Sequence, residues 1–596
     1  MADAVTTLSR IFLRTCRIYP KPDLLMDKRD GRYRPISTAE FETRVRDLSF
    51  GLREMGLRPG EKVVILSENR PEWVITDFAV LCAGGVTVPI YTSLMPDQIR
   101  HIIADSEAKI VVCSNRDLWL KVEAVRGGLP LLKQAILIEE EAPRGVWSLS
   151  EIMAKGRRAG ASGVGLFERG AEAIRPGDLA SIIYTSGTTG TPRGVMLSHA
   201  NFVSNIESLD RVVSFRDTDT ALSFLPLSHV LERTGTFFLL ANGASIAYAE
   251  KVETVAENMF EVRPTIMIGV PRFFEKIYAK VMDQVLSSSA LKRRIFFWAV
   301  KIGKSWADRT VGGRLIPKRL ALARALARRL VYSKIVSKTG GRIRFFICGG
   351  APLSEDIAEF FYPMGLIILP GYGLTETSPV LTANTLTSYR FGTVGKPIPG
   401  VEIRIEPDNE ILARGPNIMI GYYKNESETR AVLRDGWLST GDIGYLDGDG
   451  YLVITDRKKD LIVTSGGKNV APQPIEILLQ ANPYIQSAVV VGAGRKFISA
   501  LIVPDFEKLE AYAKVNAAPF RDRSELCRRD EVVAFLLAEV QRATPGLASY
   551  ERVKRIVVLE RDFEIEAGEV TPTLKIRRAI VEEKFKPLID ALYAET

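Results

Sequence analysis

Apolar residues along this chain gather into short β-branched runs: KVVILSE, AKIVVCS, QAILIEE, ASIIYTS, ALSFLPL, ASIAYAE, TIMIGV and RFFICGG. The runs are near-continuous rather than alternating. That pattern predicts strands buried on both faces, in parallel sheets covered by helices on each side. Between the runs, PEWVITDFAVLCAGG and PDQIRHIIADSE carry helical patterning. The expectation is an α/β fold whose large N-terminal domain holds two doubly wound sheets.

Beyond Tyr389 the texture changes. GTVGKPIPGVEIRI, NEILARGPNIMIGYY and DGWLSTGDIGYLDGDGYLVIT are short strands punctuated by Gly, Pro, Asn and Asp, which suits a small β-barrel or antiparallel unit. DRKKDLI then forms a charged crossing point. After it, QSAVVVGA, ISALIVPD and VKRIVVLE suffice for a small mobile α+β domain. The boundary falls between a domain at 1–456 and a lid at 457–596, with a hinge near Lys459. A chain of 596 residues needs such a division, since single cores stop growing near ~250–300 residues.

Composition narrows the class. At 46% hydrophobic and 25% charged the chain is ordinarily globular. Five scattered cysteines with no CxxC pair, and three widely separated histidines, argue against a zinc site or a disulfide framework. Arginines interrupt the first apolar stretch, unlike a secretory signal. The most apolar window, FAVLCAGGVTVPIY, is glycine-broken and shorter than the ~20 residues of a spanning helix. A cytoplasmic location is expected.

The net charge of +9 is concentrated. Lys292–Arg344 holds sixteen Lys/Arg and one acid, Asp308, so the rest of the chain is net acidic. In RLALARALARRL, Arg319, Arg324 and Arg328 stand near helical spacing with leucines between them. Two readings fit: peripheral contact with an anionic membrane, worth about 1 kcal/mol per surface cation, or an amphipathic helix with a solvated face. No groove-reading motif accompanies the charge, which argues against nucleic acid. Oligomeric state stays open, a homodimer included.

The chemistry-bearing stretch is YTSGTTGTPRGV, Tyr184–Val195. Gly187, Gly190 and Gly194 let successive N–H groups converge on an anion. Thr185, Ser186, Thr188 and Thr189 add hydroxyls, Arg193 is the one cation, and there is no acid. No Walker register exists, and such a loop alone is as easily a turn. Its company matters more. GGAPL supplies Gly349, Gly350 and Ala351 after a strand, and GYGLTET supplies Gly371, Tyr372, Gly373, Thr375 and Glu376. STGDIG supplies Asp442, with Arg457 fifteen residues later. His229, in LPLSHVLER, reads as a histidine in an apolar strand, where a satisfied core role competes with a functional one.

YTSGTTGTPRGV, GGAPL, GYGLTET, GTVGKPIPG, DGWLSTGDIG, DRKKDLI, SGGKNVAPQPIE and TPTLKIRR, in this order, resemble the acyl-adenylate-forming superfamily. The resemblance is closest to bacterial long-chain fatty acid–CoA ligases and runs from about Ala39 to Tyr593. It implies a ligase that uses ATP, Mg2+ and CoA to convert a fatty acid to acyl-AMP, releasing pyrophosphate, and then to acyl-CoA. By the same resemblance, the Tyr184–Val195 loop holds the β- and γ-phosphates. Glu376 is the magnesium carboxylate and Thr375 the α-phosphate hydroxyl. Tyr372 stacks on adenine beside Gly349, Gly350 and Ala351, with Gly371 and Gly373 flanking it. Asp442 binds the ribose hydroxyls with support from Arg457, and His229 stands at the acyl pocket. Lys575 reaches the reacting carboxylate, Lys459 is the hinge, Gly466 and Gly467 line the pantetheine path, and Lys468 meets a phosphate.

The family carries a lysine where this chain has Arg193, so the charge is kept while a planar fork replaces a point charge; activity is expected to survive, with pyrophosphate handling the step the change bears on. No residue stands out as a base for the thiol. A fatty acyl-AMP ligase serving a carrier-protein thiol, a CoA ligase for another acid, and a non-catalytic nucleotide-binding protein are the rival readings. Preferred acyl length is not legible, because tunnel-lining and core residues look alike in sequence.

Overall fold

The computed structural model describes residues 5–139, 141–160, 165–186, 192–516, 520–564, 567–571 and 576–594. The chain forms two compact units. The first comprises Met1–Arg404, Leu412–Ser439 and Asp447–Leu452; the second comprises Ile405–Ile411, Thr440–Leu446 and Val453–Thr596.

In the first unit the apolar runs form two sheets. One has eight strands in the order Gly421–Tyr422, Pro192–Ser198, Leu179–Ser186, Val86–Ile90, Lys62–Leu66, Ile110–Cys113, Gln134–Leu137 and Trp147–Ser148. From Leu179–Ser186 onward it is parallel, whereas Pro192–Ser198 turns back antiparallel on Leu179–Ser186. The other has nine strands, with a parallel centre of Ile368–Gly373, Phe345–Cys348, Ile266–Gly269, Thr220–Ser223, Ser245–Tyr248 and Leu25–Arg29. Burial explains the missing alternation: Val86–Ile90 and Ile110–Cys113 are buried at every position. Helix Pro71–Cys82 is also buried throughout, and a proline at its first turn needs no N–H partner there.

Helix Val230–Ala241 carries a cation into this core. Arg233 is fully buried and forks onto Asp77, Nε to Oδ2 at 2.8 Å and Nη2 to Oδ1 at 2.6 Å. Its remaining donors reach Ser181 Oγ at 2.6 Å and Thr87 Oγ1 at 2.7 Å. Thr87 in turn donates to Asp77 at 2.8 Å. Around this polar knot pack Phe12, Phe41, Phe78, Phe202 and Phe237, mostly edge to face.

The segment beyond Tyr389 yields a five-stranded sheet in the order Glu402–Ile405, Glu410–Arg414, Trp437–Leu446 and Leu433–Arg434, with Leu452–Arg457 also paired to Trp437–Leu446. The division between the units passes through these strands.

In the second unit, Ile485–Val491, Ser499–Pro504 and Ile556–Val558 make a three-stranded sheet. Its side chains alternate between two cores. Ala488, Val490, Ala500 and Ile502 pack with helices Pro472–Gln480 and Asp530–Ala543, while Val489, Val491, Leu501 and Val503 pack with Phe563, Val581 and Ile589. Both faces are covered, so the period of two exists in space while the sequence reads as a continuous apolar run.

Asp77→Ala leaves the Arg233 charge buried without its counter-ion, and the expected loss of stability is about 3–5 kcal/mol. Urea unfolding followed by tryptophan fluorescence measures it; a loss below about 1 kcal/mol would mean the hydroxyls alone satisfy the guanidinium.

Candidate active site

The glycine- and hydroxyl-rich loop joins two antiparallel strands. Thr185 faces Arg193 and Ser186 faces Pro192 in the register, so the two described ends of the stretch lie side by side. Gly187, Thr188, Thr189 and Gly190 lie outside the described residues, as does Lys575. At the root of the hairpin, Arg193 Nε lies 2.8 Å from Glu428 Oε2, and its guanidinium sits 5.5 Å from the centre of the Tyr422 ring. The Tyr422 hydroxyl donates to Glu376 Oε1 at 2.9 Å. Burial and the adjacent Glu376 carboxylate push the Tyr422 phenol well up, which keeps its proton in place as a donor.

Backbone pairing assembles this cluster. Gly421 and Tyr422 pair with Met196 and Val195, and Tyr423 N donates to Gly194 O at 2.7 Å. Glu376 belongs to the 3-10 turn Thr375–Thr377 that follows strand Ile368–Gly373, and its carbonyl accepts from Met419 N at 2.8 Å. Glu428 stands in helix Glu426–Val432, whose first turn is capped by Asn425 accepting from Glu428 N at 3.1 Å. Arg193, expected near phosphate, and Glu376, expected near magnesium, are thus joined through Tyr422, with Glu428 on the far side of the arginine.

The second glycine pair and the tyrosine motif also meet. A Cβ added to Gly349 would lie 3.3 Å from Leu231 Cδ2 and 3.7 Å from Gly371 O, so the ends of strands Phe345–Cys348 and Ile368–Gly373 converge beside the start of helix Val230–Ala241. At Gly373 a Cβ would fall 1.7 Å from Pro379 O, so only glycine fits there. Tyr372 is half-buried against the core.

His229 does not lie in a strand, contrary to the sequence reading. Strand Thr220–Ser223 has ended, a turn brings His229 N to Pro226 O at 2.9 Å, and His229 becomes the N-cap of helix Val230–Ala241. Its Nδ1 accepts from Leu231 N at 3.2 Å, a capping contact that fixes the ring.

In the second unit, Asp442 is buried within strand Trp437–Leu446, and Arg457 Nε donates to its Oδ1 at 2.9 Å. Lys459 is exposed in the turn after strand Leu452–Arg457. Gly466, Gly467 and Lys468 form the tip of the hairpin Ile462–Val463/Asn469–Val470, closed by Thr464 N donating to Lys468 O at 3.0 Å. A Cβ on Gly466 would meet nothing within 4 Å, so packing inside this unit does not require glycine there.

A family model described as AMP-binding enzyme matches residues 12–423, and a model of the AMP-binding enzyme C-terminal domain matches 459–596. This chain belongs to the AMP-binding enzyme family. Among curated relatives, the long-chain-fatty-acid–CoA ligase FadD15 of Mycobacterium bovis is 37% identical over 96% of this chain and 95% of its own. The long-chain-fatty-acid–CoA ligase ACSBG1 of Bos taurus is 30% identical over 99% of this chain and 85% of its own. Among solved structures, the anthranilate CoA ligase AuaEII in complex with anthranoyl-AMP superposes with a TM-score of 0.73 at 19% identity, covering 98% of both chains. ATP-bound MatB from Rhodopseudomonas palustris gives 0.69 at 24%, covering 98% of this chain and 99% of its own. These two structures bear on the fold.

Two members of the cluster escaped the reading of the residues. Tyr422 and Glu428 lie in GYYKNESETR, where an aromatic and an acid carry no distinguishing local signal. Only the pairing of Gly421–Tyr422 on Pro192–Ser198 brings them to Arg193. A third unanticipated group is Glu232, buried one position before Arg233. Burial pushes its carboxyl from an ordinary 4.5 up to about 8, offset in part by a hydrogen bond with Ser223.

The sign of the resulting pH dependence is set by the raised value. Below 4.5 the folded and unfolded carboxyls are both protonated; above it the unfolded chain releases the proton while the folded one keeps it, so stability falls as pH rises toward about 8. Glu232→Gln, which preserves a polar partner for Ser223, is expected to flatten that fall and to raise the unfolding midpoint at about pH 8 relative to the parent. Identical pH–stability curves for the two proteins would place the Glu232 carboxyl in contact with solvent.

Proposed function

We propose that this AMP-binding enzyme is a long-chain fatty acid–CoA ligase that works in two half-reactions. A fatty acid carboxylate attacks the α-phosphate of ATP, forming acyl-AMP as pyrophosphate leaves; the CoA thiol then takes the acyl group and AMP departs. The observation that carries the reading is the Arg193–Tyr422–Glu376 cluster at the root of the hydroxyl-rich hairpin: a cation and a carboxylate held together by a phenol, where departing polyphosphate needs charge on both its oxygens and its metal. The names of the curated relatives support the substrate class.

The first half-reaction is a matter of positioning and charge stabilisation. Arg193 and the Gly187–Gly190 stretch bind the outer phosphates, and Thr375 bonds the α-phosphate. Among the described residues no group of three or more His, Cys, Asp or Glu could hold a metal by itself. A single carboxylate suits magnesium, which keeps most of its oxygen ligands from water and phosphate; Glu376 would hold it, and it would supply charge neutralisation at the phosphates. Tyr372 stacks on adenine beside Gly349, Gly350 and Ala351. Asp442 accepts from the ribose hydroxyls and is oriented by Arg457. His229 marks the acyl side, held as the cap of its helix. Lys575 closes on the carboxylate.

The second half-reaction replaces Lys575 with a path for pantetheine. Lys459 is the hinge on which the 457–596 lid turns, Gly466 and Gly467 line the path, and Lys468 meets a CoA phosphate. A Gly466 that its own surroundings do not demand supports this reading, since a bare backbone there serves something passing along it.

The basic segment supports a peripheral contact with anionic membrane. Its helices Ala290–Val311 and Lys318–Ala327 are fastened inward by Tyr332 Oη donating to Ala299 O at 2.6 Å and by Arg324 lying 3.7 Å from the Trp306 ring centre. Outward, Leu315 is 93% and Leu322 75% exposed, with Leu326 and Leu330 also exposed among Arg314, Lys318, Arg319, Arg328 and Arg329. Leucines that face outward among cations fit a lipid interface better than a solvated polar face. Among the described residues no helix is long and apolar enough to cross a membrane.

Incubated with ATP, magnesium and acids of graded length, the protein is expected to release pyrophosphate only with long-chain acids and to form thioester only when CoA is added. Production of ADP, or no nucleotide turnover, would overturn the reading; AMP without thioester would favour transfer to a carrier protein. Lys575→Ala is expected to abolish acyl-AMP formation while sparing CoA transfer from supplied acyl-AMP, and equal loss of both steps would sink the two-state lid. For the membrane contact, co-sedimentation with phosphatidylglycerol vesicles at low salt is expected, weakened by salt and by Leu315→Ser/Leu322→Ser; absence of binding at low salt refutes it.

A further inference from the structure

Arg193 is the one cation of the phosphate hairpin, yet it lies 2.8 Å from a carboxylate, Glu428, that belongs to no motif considered above. The pair is neither buried deep nor washed by solvent: side-chain exposure is 18% for Arg193 and 30% for Glu428. An anion beside a polyphosphate site repels the ligand, so it weakens binding unless it has a use. The geometry suggests one. The guanidinium has Glu428 at its Nε edge, and Tyr422 holds it from another side, through the phenol and a ring centred 5.5 Å away. The fork of an arginine carries several donors, so one edge can face Glu428 while another side meets the Tyr422 phenol, which a lysine's single point charge would not match.

We infer that Glu428 is a positioning residue that competes with the outer phosphates for Arg193, holding the guanidinium over Tyr422 before ATP arrives and taking it back as pyrophosphate leaves. This rests on the phosphate role proposed above for Arg193. Glu428 thereby trades affinity for turnover: it weakens ATP and pyrophosphate alike, and what it gains is release of a multiply charged product from a site built to bind it. The chain's departure from the family lysine and this counter-ion belong together, because a planar, bidentate cation left alone would hold pyrophosphate too firmly.

The test is steady-state and product-inhibition kinetics on the full-length enzyme. Glu428→Gln keeps the shape and removes the charge. KM for ATP and the inhibition constant for pyrophosphate are both expected to fall about fivefold, the scale of a partly exposed ion pair, with kcat reduced as release slows. Glu428→Asp is expected to restore parental pyrophosphate inhibition in part. In Arg193→Ala the further change Glu428→Gln is expected to alter neither constant, since the competitor has lost its object. A merely structural Glu428 would instead raise KM and lower the thermal midpoint. Unchanged or weaker pyrophosphate inhibition in Glu428→Gln overturns the inference. If Arg193→Ala itself leaves KM for ATP untouched, the phosphate role of Arg193 falls, which is a separate failure from that of Glu428.

Discussion

Arg233 brings a full charge to a place solvent does not reach, and the first unit is arranged around satisfying it. The guanidinium gathers Asp77 from one helix and Thr87 and Ser181 from two strands of the eight-stranded sheet, while its own helix packs on the nine-stranded one. An isolated buried charge costs several kcal/mol, so these groups must stay within hydrogen-bonding distance or the unit loosens. Apolar packing is tolerant of small slides; a bidentate fork with two further acceptors is not. The phenylalanines pack edge to face as part of a large apolar core, and the polar knot links a helix, two strands of one sheet and a helix packed on the other.

That linkage reaches the site. The helix that carries Arg233 begins at His229, and Leu231, two residues later, lies against Gly349 and near Gly371. Glu232 and Arg233 are thus consecutive side chains with opposite solutions to burial: one keeps its proton, the other recruits a carboxylate. The ends of the strands bearing the two glycine motifs therefore stand at a height set by a contact in the core. Such a division of labour, with rigid sheets below and functional groups on the connections above, is general to doubly wound folds.

On the phosphate side, charge is shared rather than concentrated. Glu376 is held by the Tyr422 hydroxyl, the Tyr422 ring underlies Arg193, and Arg193 answers to Glu428. Each member constrains the next, so the groups of the cluster are placed before any ligand arrives. Preorganisation of this kind is where most of the advantage in phosphoryl and nucleotidyl chemistry arises.

The sequence by itself determined the fold class and the family. Continuous β-branched runs can be satisfied only by strands buried on both faces, and ordered glycine and hydroxyl motifs survive any rearrangement of the elements between them. The residues expected to touch nucleotide were named through the order of the motifs and the family resemblance, since each motif alone is as easily a turn. Only the tertiary structure decided that His229 caps a helix, that Pro192–Ser198 turns back on Leu179–Ser186, and that Tyr422 and Glu428 stand beside Arg193. Those outcomes depend on which strands pair: Gly421–Tyr422 reaches Pro192–Ser198 across more than two hundred residues. No local pattern encodes a partner that distant, because an aromatic or an acid in a short strand is suited equally to solvent, core or site until its neighbour is known.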